Sequence, residues 1–142
     1  MSNPGADAWD ALVRAATRRR RGRLQVLDGA GQRSAASLWT LVHVLWALGD
    51  LEAVGVTADE SSEFVNHIDR YRWGDGFAAK PSTRRRYFDD NAWLGLAALH
   101  LGRRDLAEEA FDFVRTGEDP AGGVRWVEDA TTRNTCSTAS AA

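Results

Sequence analysis

The fold expected for this chain follows from one segment, Tyr87-Phe88-Asp89-Asp90-Asn91-Ala92-Trp93, which continues as Leu94-Gly95-Leu96-Ala97-Ala98-Leu99-His100-Leu101. The second part contains no Asp, Glu, Lys or Arg, so it predicts a helix that other parts of the protein enclose. Two carboxylates at the start of such a helix cost free energy unless they are paired, solvated in a cavity or used in chemistry. Asp89 and Asp90 are therefore candidates for a chemical site. The alternative is that one caps the helix and the other is a first-turn acid favoured by the helix dipole.

Helical periodicity continues from this segment in both directions, and two kinds of helix alternate. Helices that are apolar all round are predicted from Ser37 to Leu48 and from Phe88 to Leu101, and a further helix begins near Asn134. Amphipathic helices are predicted around Trp9, from Glu60 to Arg72 and from Asp105 to Arg115. The order is therefore outer, inner, outer, inner, outer, inner.

The inner helices recur at intervals of roughly 45–50 residues, which lies in the range of helical-pair repeats. Gly49 and Gly102 follow similar sequences, and each is expected to end an inner helix in the left-handed conformation. Amphipathic helices around apolar ones predict an all-α, double-layered toroid, whereas a plain bundle or solenoid need not alternate so regularly. We expect the starts of the helices near Ser37, Phe88 and Asn134 to converge on one face.

Three segments carry a resemblance to a known family. The run Tyr87-Phe88-Asp89-Asp90-Asn91-Ala92-Trp93 resembles the Asp-Asp-x-x-Trp signature of glycoside hydrolase family 76, the endo-α-1,6-mannanases. Gly122-Gly123-Val124-Arg125-Trp126 resembles its glycine-rich turn before a Trp, although the family tends to carry two aromatic residues there. Arg133-Asn134 resembles the basic-Asn pair that opens the next inner helix. The similarity extends from about Gln32 to Ala142.

The resemblance implies an (α/α)6 toroid of the six-hairpin glycosidase type, of which residues 1–142 would supply about three helical hairpins at the N-terminal side. Six hairpins would need roughly 300 residues. The last segment, from Thr135 to Ala142, resembles a helix without a stop signal, so we expect a longer protein. Residues 1–31 are then expected to include the Arg-rich end of an outer helix and a loop.

Glycoside cleavage suits a pair of carboxyl groups, because one donates a proton to the leaving oxygen and the other attacks or stabilises the anomeric carbon. Two close carboxyls do not ionise independently, so one is expected to keep its proton to higher pH. The resemblance implies that Asp89 is the nucleophile and Asp90 the acid/base. Trp93 is expected to pack beneath the pair.

Substrate-binding residues are expected around the pair. The resemblance and the position of the loops before the inner helices select Tyr87, Trp93, Trp126, Arg133 and Asn134. Trp73 and Phe77 lie on a second such loop, where aromatic residues either stack on sugar rings or simply pin the loop. The three histidines show no metal-ligand spacing, so neither a metal nor another cofactor is expected.

Composition narrows the classes of partner. The net charge is −2 at pH 7, which gives no electrostatic case for nucleic acid. Arg18-Arg19-Arg20-Arg21 is interpreted as a solvated helix end. The longest uncharged apolar stretch, from Leu38 to Leu48, is too short to cross a bilayer, so no membrane partner is expected. No export signal is recognised near the N-terminus, which predicts a cytoplasmic protein. Cys136 has no partner cysteine and is expected to be a small buried hydrophobe.

Two functional classes remain. The first is a glycoside hydrolase acting on α-1,6-mannosidic or related linkages in an oligo- or polysaccharide by a retaining mechanism, inactive if only part of its domain is present. The second is a non-catalytic helical module that binds a glycan or a protein. Inner helices that lack part of their toroid would expose Trp and Leu side chains, which predicts self-association. A toroid enzyme of another kind, such as a sugar epimerase, would require His pairs that the sequence does not show.

Overall fold

The computed structural model describes residues 3–56 and 61–142, and these residues are mostly helical. The α-helices are α1 (Pro4–Ala16), α2 (Leu38–Ala53), α3 (Ser61–His67), α4 (Phe88–His100), α5 (Arg104–Arg115) and α6 (Thr135–Ala141). A 3-10 helix over Ile68–Tyr71 follows α3. Two short antiparallel hairpins complete the fold: β1 (Thr17–Arg20) with β2 (Arg23–Val26), and β3 (Arg72–Trp73) with β4 (Gly76–Phe77). The start of the predicted helix at Glu60 lies outside the described residues.

Helices α2 and α4 pack against each other at the centre of the described fold. Helix α2 begins where the sequence predicts, because the Ser37 hydroxyl accepts a hydrogen bond from the Thr40 amide at 3.1 Å and caps the first turn. Most apolar side chains of both helices are buried in one large cluster that also contains the apolar faces of α1, α3 and α5. The two helices are not enclosed on every side, since Trp39, Trp93 and Leu99 remain exposed.

The amphipathic helices surround this centre. Helix α1 begins after Asn3, whose side chain accepts hydrogen bonds from the Gly5 and Ala6 amides at 2.9 and 3.4 Å. Its Trp9 is buried in the shared cluster. Helix α5 buries one face, which includes Leu106, Ala110 and Phe113, and exposes the charged residues opposite, as the period of its sequence predicts.

The arginine run does not end a helix, and the fold is not purely α-helical. Helix α1 ends at Ala16, and the arginines enter the β1–β2 hairpin, in which Thr17 pairs with Val26 and Arg20 with Arg23. Tertiary packing explains the difference, because the hairpin buries Leu24 and Val26. That burial favours a strand over continuation of the helix.

Gly49 also differs from expectation. Helix α2 continues through it to Ala53, and the positive φ falls on Gly55 at 77°. A Cβ on Gly49 would lie 2.3 Å from the His100 Cδ2 atom, so the glycine allows α4 to approach α2 closely. Gly102 does follow α4 with a φ of 67°, as predicted.

In the described part of the chain, no helix combines the length and apolar character that a membrane span requires.

Candidate active site

Three helix starts meet at one depression of about 350 Å³. The predicted convergence of these helix starts is confirmed, because residues from the first turns of α2, α4 and α6 line it together. Its lining consists of Trp39, Tyr87, Asp89, Asp90, Trp93, Trp126 and Cys136. The aspartates therefore face a concave surface made mainly of aromatic side chains, which is the usual composition of a site for a small organic ligand.

Asp89 and Asp90 are the second and third residues of α4, and neither occupies the N-cap position. Tyr87 stands there without a side-chain capping bond. The Asp89 Oδ1 atom accepts a hydrogen bond from the Asp90 amide at 3.0 Å, so Asp89 does satisfy a first-turn donor. The Asp90 carboxyl has no hydrogen bond or ion pair within residues 3–56 and 61–142. Helix capping therefore accounts for one hydrogen bond of the Asp89 side chain, and it does not account for the position of the Asp90 carboxyl.

Burial makes both carboxyl groups harder to ionise. Asp90 is only 9% exposed, and burial together with the neighbouring Asp89 charge raises its pKa from 3.8 to about 7. The pKa of Asp89 is also raised by burial, but hydrogen bonds from backbone amides and from the Trp126 side chain oppose this. The arrangement therefore provides one carboxyl that keeps its proton near neutral pH beside one that loses it more readily.

Asn91 fixes the start of α4, and sequence reasoning did not select it. This fully buried side chain accepts a hydrogen bond from the Phe77 amide at 2.9 Å and donates to the Phe77 and Tyr87 carbonyls at 2.9 and 2.8 Å. It thereby ties the β3–β4 hairpin to the first turn that carries the aspartates. Its place directly after the Asp pair in a buried helix is the signal that would have identified it, because a buried amide needs partners.

Tyr87 and Trp126 lie together at one side of the aspartates. The Phe88 amide donates to the Trp126 carbonyl at 3.0 Å, which holds the two segments side by side. The Tyr87 and Trp126 ring centres are 5.3 Å apart. Trp126 remains 40% exposed beside Asp89, so its ring is available to a ligand.

Trp93 forms a wall of the depression and does not pack beneath the aspartates. Trp93 lies one helical turn beyond Asp90, at a position of α4 that faces outward between two other tryptophans. It is therefore 36% exposed. Its ring makes edge-to-face contacts with Trp39 at 6.2 Å and Trp46 at 6.4 Å between ring centres. Trp39 lines the same depression, although the sequence placed it only in an apolar helix. Its proximity depends on the α2–α4 contact, which no local pattern reveals.

Arg133 and Asn134 do not line the depression. The Arg133 guanidinium donates to the Ala121 and Gly122 carbonyls at 3.3 and 3.2 Å and stabilises the glycine turn. The Asn134 side chain accepts from the Cys136 amide at 2.8 Å and caps α6. The side chains of Arg133 and Asn134 therefore contact the backbone, whereas the sequence predicts that they bind substrate. The reason is that both residues precede the first turn of α6.

Trp73 and Phe77, on the second loop, are also absent from the lining. Phe77 is buried, and Trp73 is exposed, with the Arg84 guanidinium over its ring at 4.5 Å from the ring centre. Cys136 is exposed at the depression, because the second residue of α6 faces outward, and the expectation of a buried thiol is wrong. Among the described residues, no group of three or more His, Cys, Asp or Glu side chains is arranged to hold a metal ion.

Comparison with solved structures gives the fold a known counterpart, that of glycoside hydrolases of family 76. An α-mannanase of this family from Bacteroides thetaiotaomicron superposes with a TM-score of 0.77 at 17% identity, covering 96% of this chain and 44% of that one. A family 76 glycoside hydrolase from a bovine Bacteroides thetaiotaomicron strain gives a TM-score of 0.73 at 18% identity, covering 96% of this chain and 35% of that one.

No family model matches the sequence, and no curated protein matches it. At such identities the likeness concerns the fold, which is glycosidase-like. The chain spans less than half of the length of both structures.

Proposed function

We propose that this chain carries the catalytic carboxyl groups of a glycoside hydrolase that cleaves α-1,6-mannosidic or related linkages with retention of configuration. One observation carries the proposal: Asp89 and Asp90 face an aromatic depression at the meeting point of three helix starts, and Asp90 has a pKa of about 7. A carboxyl that is half protonated near neutral pH suits a general acid. Exposed tryptophan faces beside it suit the apolar faces of sugar rings.

The two aspartates would divide the chemistry according to their environments. Asp89, whose ionised form accepts hydrogen bonds, attacks the anomeric carbon while Asp90 donates its proton to the departing glycosidic oxygen. Asp89 then forms an ester and loses its charge. Because that charge contributes to the raised pKa of Asp90, the pKa of Asp90 falls at this stage. Asp90 can therefore take a proton from the water that attacks the anomeric carbon, which releases the sugar and restores Asp89.

The same proposal extends to the architecture. Residues 1–142 would form part of an (α/α)6 toroid, about three helical hairpins of the six, with α2, α4 and α6 in the inner layer. The likeness to family 76 structures and the alternation of apolar and amphipathic helices support this assignment. The substrate would then be an oligo- or polysaccharide lying across the ends of the inner helices.

The second candidate function is binding of a glycan without cleavage. The observation that favours it is that the chain covers 44% or less of the similar structures, while the aromatic walls of the depression lie within it. In that case the depression holds a sugar ring, and the acidity of Asp90 has no catalytic role.

Hydrolysis and binding assays on matched variants separate the candidates. In a protein that contains the whole domain, we expect Asp89→Asn to abolish cleavage of α-1,6-linked mannan, because the nucleophile is lost. Asp90→Asn should be equally inactive on mannan but partly active on an aryl mannoside with an activated leaving group, which needs no proton. Exposed Asp10 lies outside the depression, and Asp10→Asn is the control.

Full activity in both site variants would mean that the pair belongs to an ordinary helix start and has no catalytic role. Binding of α-1,6-mannooligosaccharides that changes tryptophan fluorescence, in the absence of any hydrolysis, would support the second candidate. If neither binding nor hydrolysis occurs in the protein that contains the whole domain, both proposals are wrong.

A further inference from the structure

A second depression, of about 490 Å³, lies between the β1–β2 hairpin and the 3-10 helix. Its lining consists of Arg20, Arg21, Arg23 and Arg70. It shares no residue with the depression at the Asp pair. We propose that it binds a small phosphorylated molecule that carries two or more negative charges.

The four guanidinium groups have no acidic partner in the described part of the chain. Two acids that lie close to Arg70 in sequence are already engaged. Glu63 accepts two hydrogen bonds from Arg19 at 2.8 and 2.7 Å, and Asp69 pairs with Arg72 at 2.9 Å. The whole chain has two more acidic than basic residues, so excess basic composition does not explain four unpaired arginines in one place. Gathering like charges is unfavourable in the absence of an anion.

The hairpin turn supplies an independent observation. Arg21 has a φ of 52° and Gly22 a φ of 76°, so both central residues of the turn are left-handed. Asn or Gly is preferred at the first of these positions, because a longer side chain is strained there. Arg21 is the only non-glycine residue with a positive φ among those described. Strain of this kind is concentrated at functional sites. Here the strained residue is Arg21, whose guanidinium lies at the tip of the hairpin.

The hairpin is fixed in position, so the charges converge in the folded state before any ligand arrives. Leu24 and Val26 anchor β2 in the core, and Arg18 donates to the Gln25 side chain at 2.9 Å across the two strands. The two hydrogen bonds from Arg19 to Glu63 connect the hairpin to α3, which leads directly into the 3-10 helix that carries Arg70. A preorganised site loses less entropy when it binds.

The lining indicates the class of ligand. Planar guanidinium groups bind phosphate oxygens in pairs, and four of them together match a group with several negative charges. A neighbouring polar depression of about 460 Å³ shares Arg23 and Arg70, and its lining also includes Glu63, Asn66, His67 and Asp69. These side chains can hydrogen-bond hydroxyl groups of the same molecule. A nucleic acid is a poorer match, because its backbone requires a basic track whereas these charges occupy one depression on an acidic chain.

Calorimetric titration of the full chain with inorganic pyrophosphate tests the proposal, with inorganic phosphate as the less charged comparison. We expect one saturable site and tighter binding of pyrophosphate. Arg21→Gln/Arg23→Gln should weaken binding by about tenfold or more, since two charge-assisted contacts are lost. Arg33→Gln/Arg104→Gln changes the net charge equally at exposed residues outside both depressions, and it should alter the affinity by less than about twofold.

Arg20→Gln/Arg70→Gln leaves the hairpin turn unchanged, so it replaces the first variant if that one does not fold. We expect the same loss of pyrophosphate affinity. The absence of saturable pyrophosphate binding would overturn the proposal, as would an equal loss in the control variant. Tighter binding of a single-stranded 20-nucleotide DNA than of pyrophosphate, with loss in the same variants, would overturn it in favour of a nucleic-acid surface.

Discussion

Asp90 combines two properties that rarely occur together in a structural residue. Asp90 is 9% exposed as a residue, yet no donor or cation within the described residues reaches its carboxyl. Buried carboxylates that serve only stability are normally paired or hydrogen-bonded, because an unpaired buried charge costs several kcal/mol. The energetic cost at Asp90 is thus evidence for a use of the group. The raised pKa of Asp90 is a second expression of the same cost.

The sign of this effect predicts how stability depends on pH. The pKa of Asp90 is about 7 in the folded state, against 3.8 for an ordinary aspartate. The folded state therefore binds more protons than the unfolded state between about pH 4 and pH 7, and the contribution of Asp90 to stability falls as pH rises through that range. Asp90→Asn should increase the free energy of unfolding by roughly 2–4 kcal/mol at pH 8 and change it little at pH 4.

Urea unfolding at the two pH values measures this difference. Asp10→Asn, at an exposed position of α1, should show no such dependence. If Asp90→Asn changed the free energy of unfolding equally at both pH values, burial would not raise the pKa of Asp90.

At the scale of elements, the sequence predicted those features that depend on local pattern. Helices α2, α4 and α5 begin within one residue of the expected positions, because apolar periodicity and the Ser37 cap are local signals. The sequence does not predict the β1–β2 hairpin, since its strands are short and their stability comes from packing of Leu24 and Val26 in the core shared with the helices. The role of Gly49 is also not visible in the sequence, because the ring that it accommodates belongs to His100 on another helix.

The residues of the site were also predictable only where the signal is local. One motif contains Tyr87, Asp89, Asp90 and Trp93, which are close in sequence. A loop pattern before an inner helix predicts Trp126. Trp39 joins them only through the packing of α2 on α4, and Asn91 acquires its role only through contact with Phe77. Long-range contacts of this kind have no signature in a single sequence.

Asn91 connects two elements, and its removal should loosen both. Asn91→Ala leaves the buried amide and carbonyl of Phe77 without partners and creates a cavity, so we expect a loss of roughly 2–4 kcal/mol in the free energy of unfolding. Denaturant unfolding measures it. Asn66→Ala, at an exposed position of α3, should change stability by less than about 0.5 kcal/mol. Similar values for the two variants would contradict the anchoring role of Asn91.

Gly117 sets the distance between the loop after α5 and the start of α4. A Cβ at this position would lie 2.6 Å from the Phe88 Cδ1 atom, and Phe88 is fully buried against Phe113. Gly117→Ala should therefore destabilise the protein by roughly 1–3 kcal/mol through overpacking. Gly29→Ala is the matched control, because its nearest atom would be 3.8 Å away. A Gly117→Ala midpoint in thermal unfolding that equals that of Gly29→Ala would contradict this account.

At the scale of the whole molecule, the exposed face of α2 and α4 should drive self-association. Trp39, Trp93 and Leu99 lie on this face, and half of Leu99 is accessible. Sedimentation velocity at increasing concentration should reveal oligomers, and Leu99→Glu should reduce them because a charge resists burial. Val54→Glu introduces the same charge at an exposed residue beyond the end of α2 and should have little effect. Equal reduction by both variants would mean that net charge, not this face, controls association.

The assignment of Asp89 as nucleophile is the central claim, and covalent trapping tests it most directly. A 2-deoxy-2-fluoro-α-mannosyl donor with an activated leaving group slows hydrolysis of the glycosyl-enzyme, so mass spectrometry of proteolytic fragments can locate the sugar. We predict one added fluoromannosyl group on Asp89 and none in Asp89→Asn. A label on any other residue, Asp90 included, or the same label in Asp89→Asn, would contradict the claim.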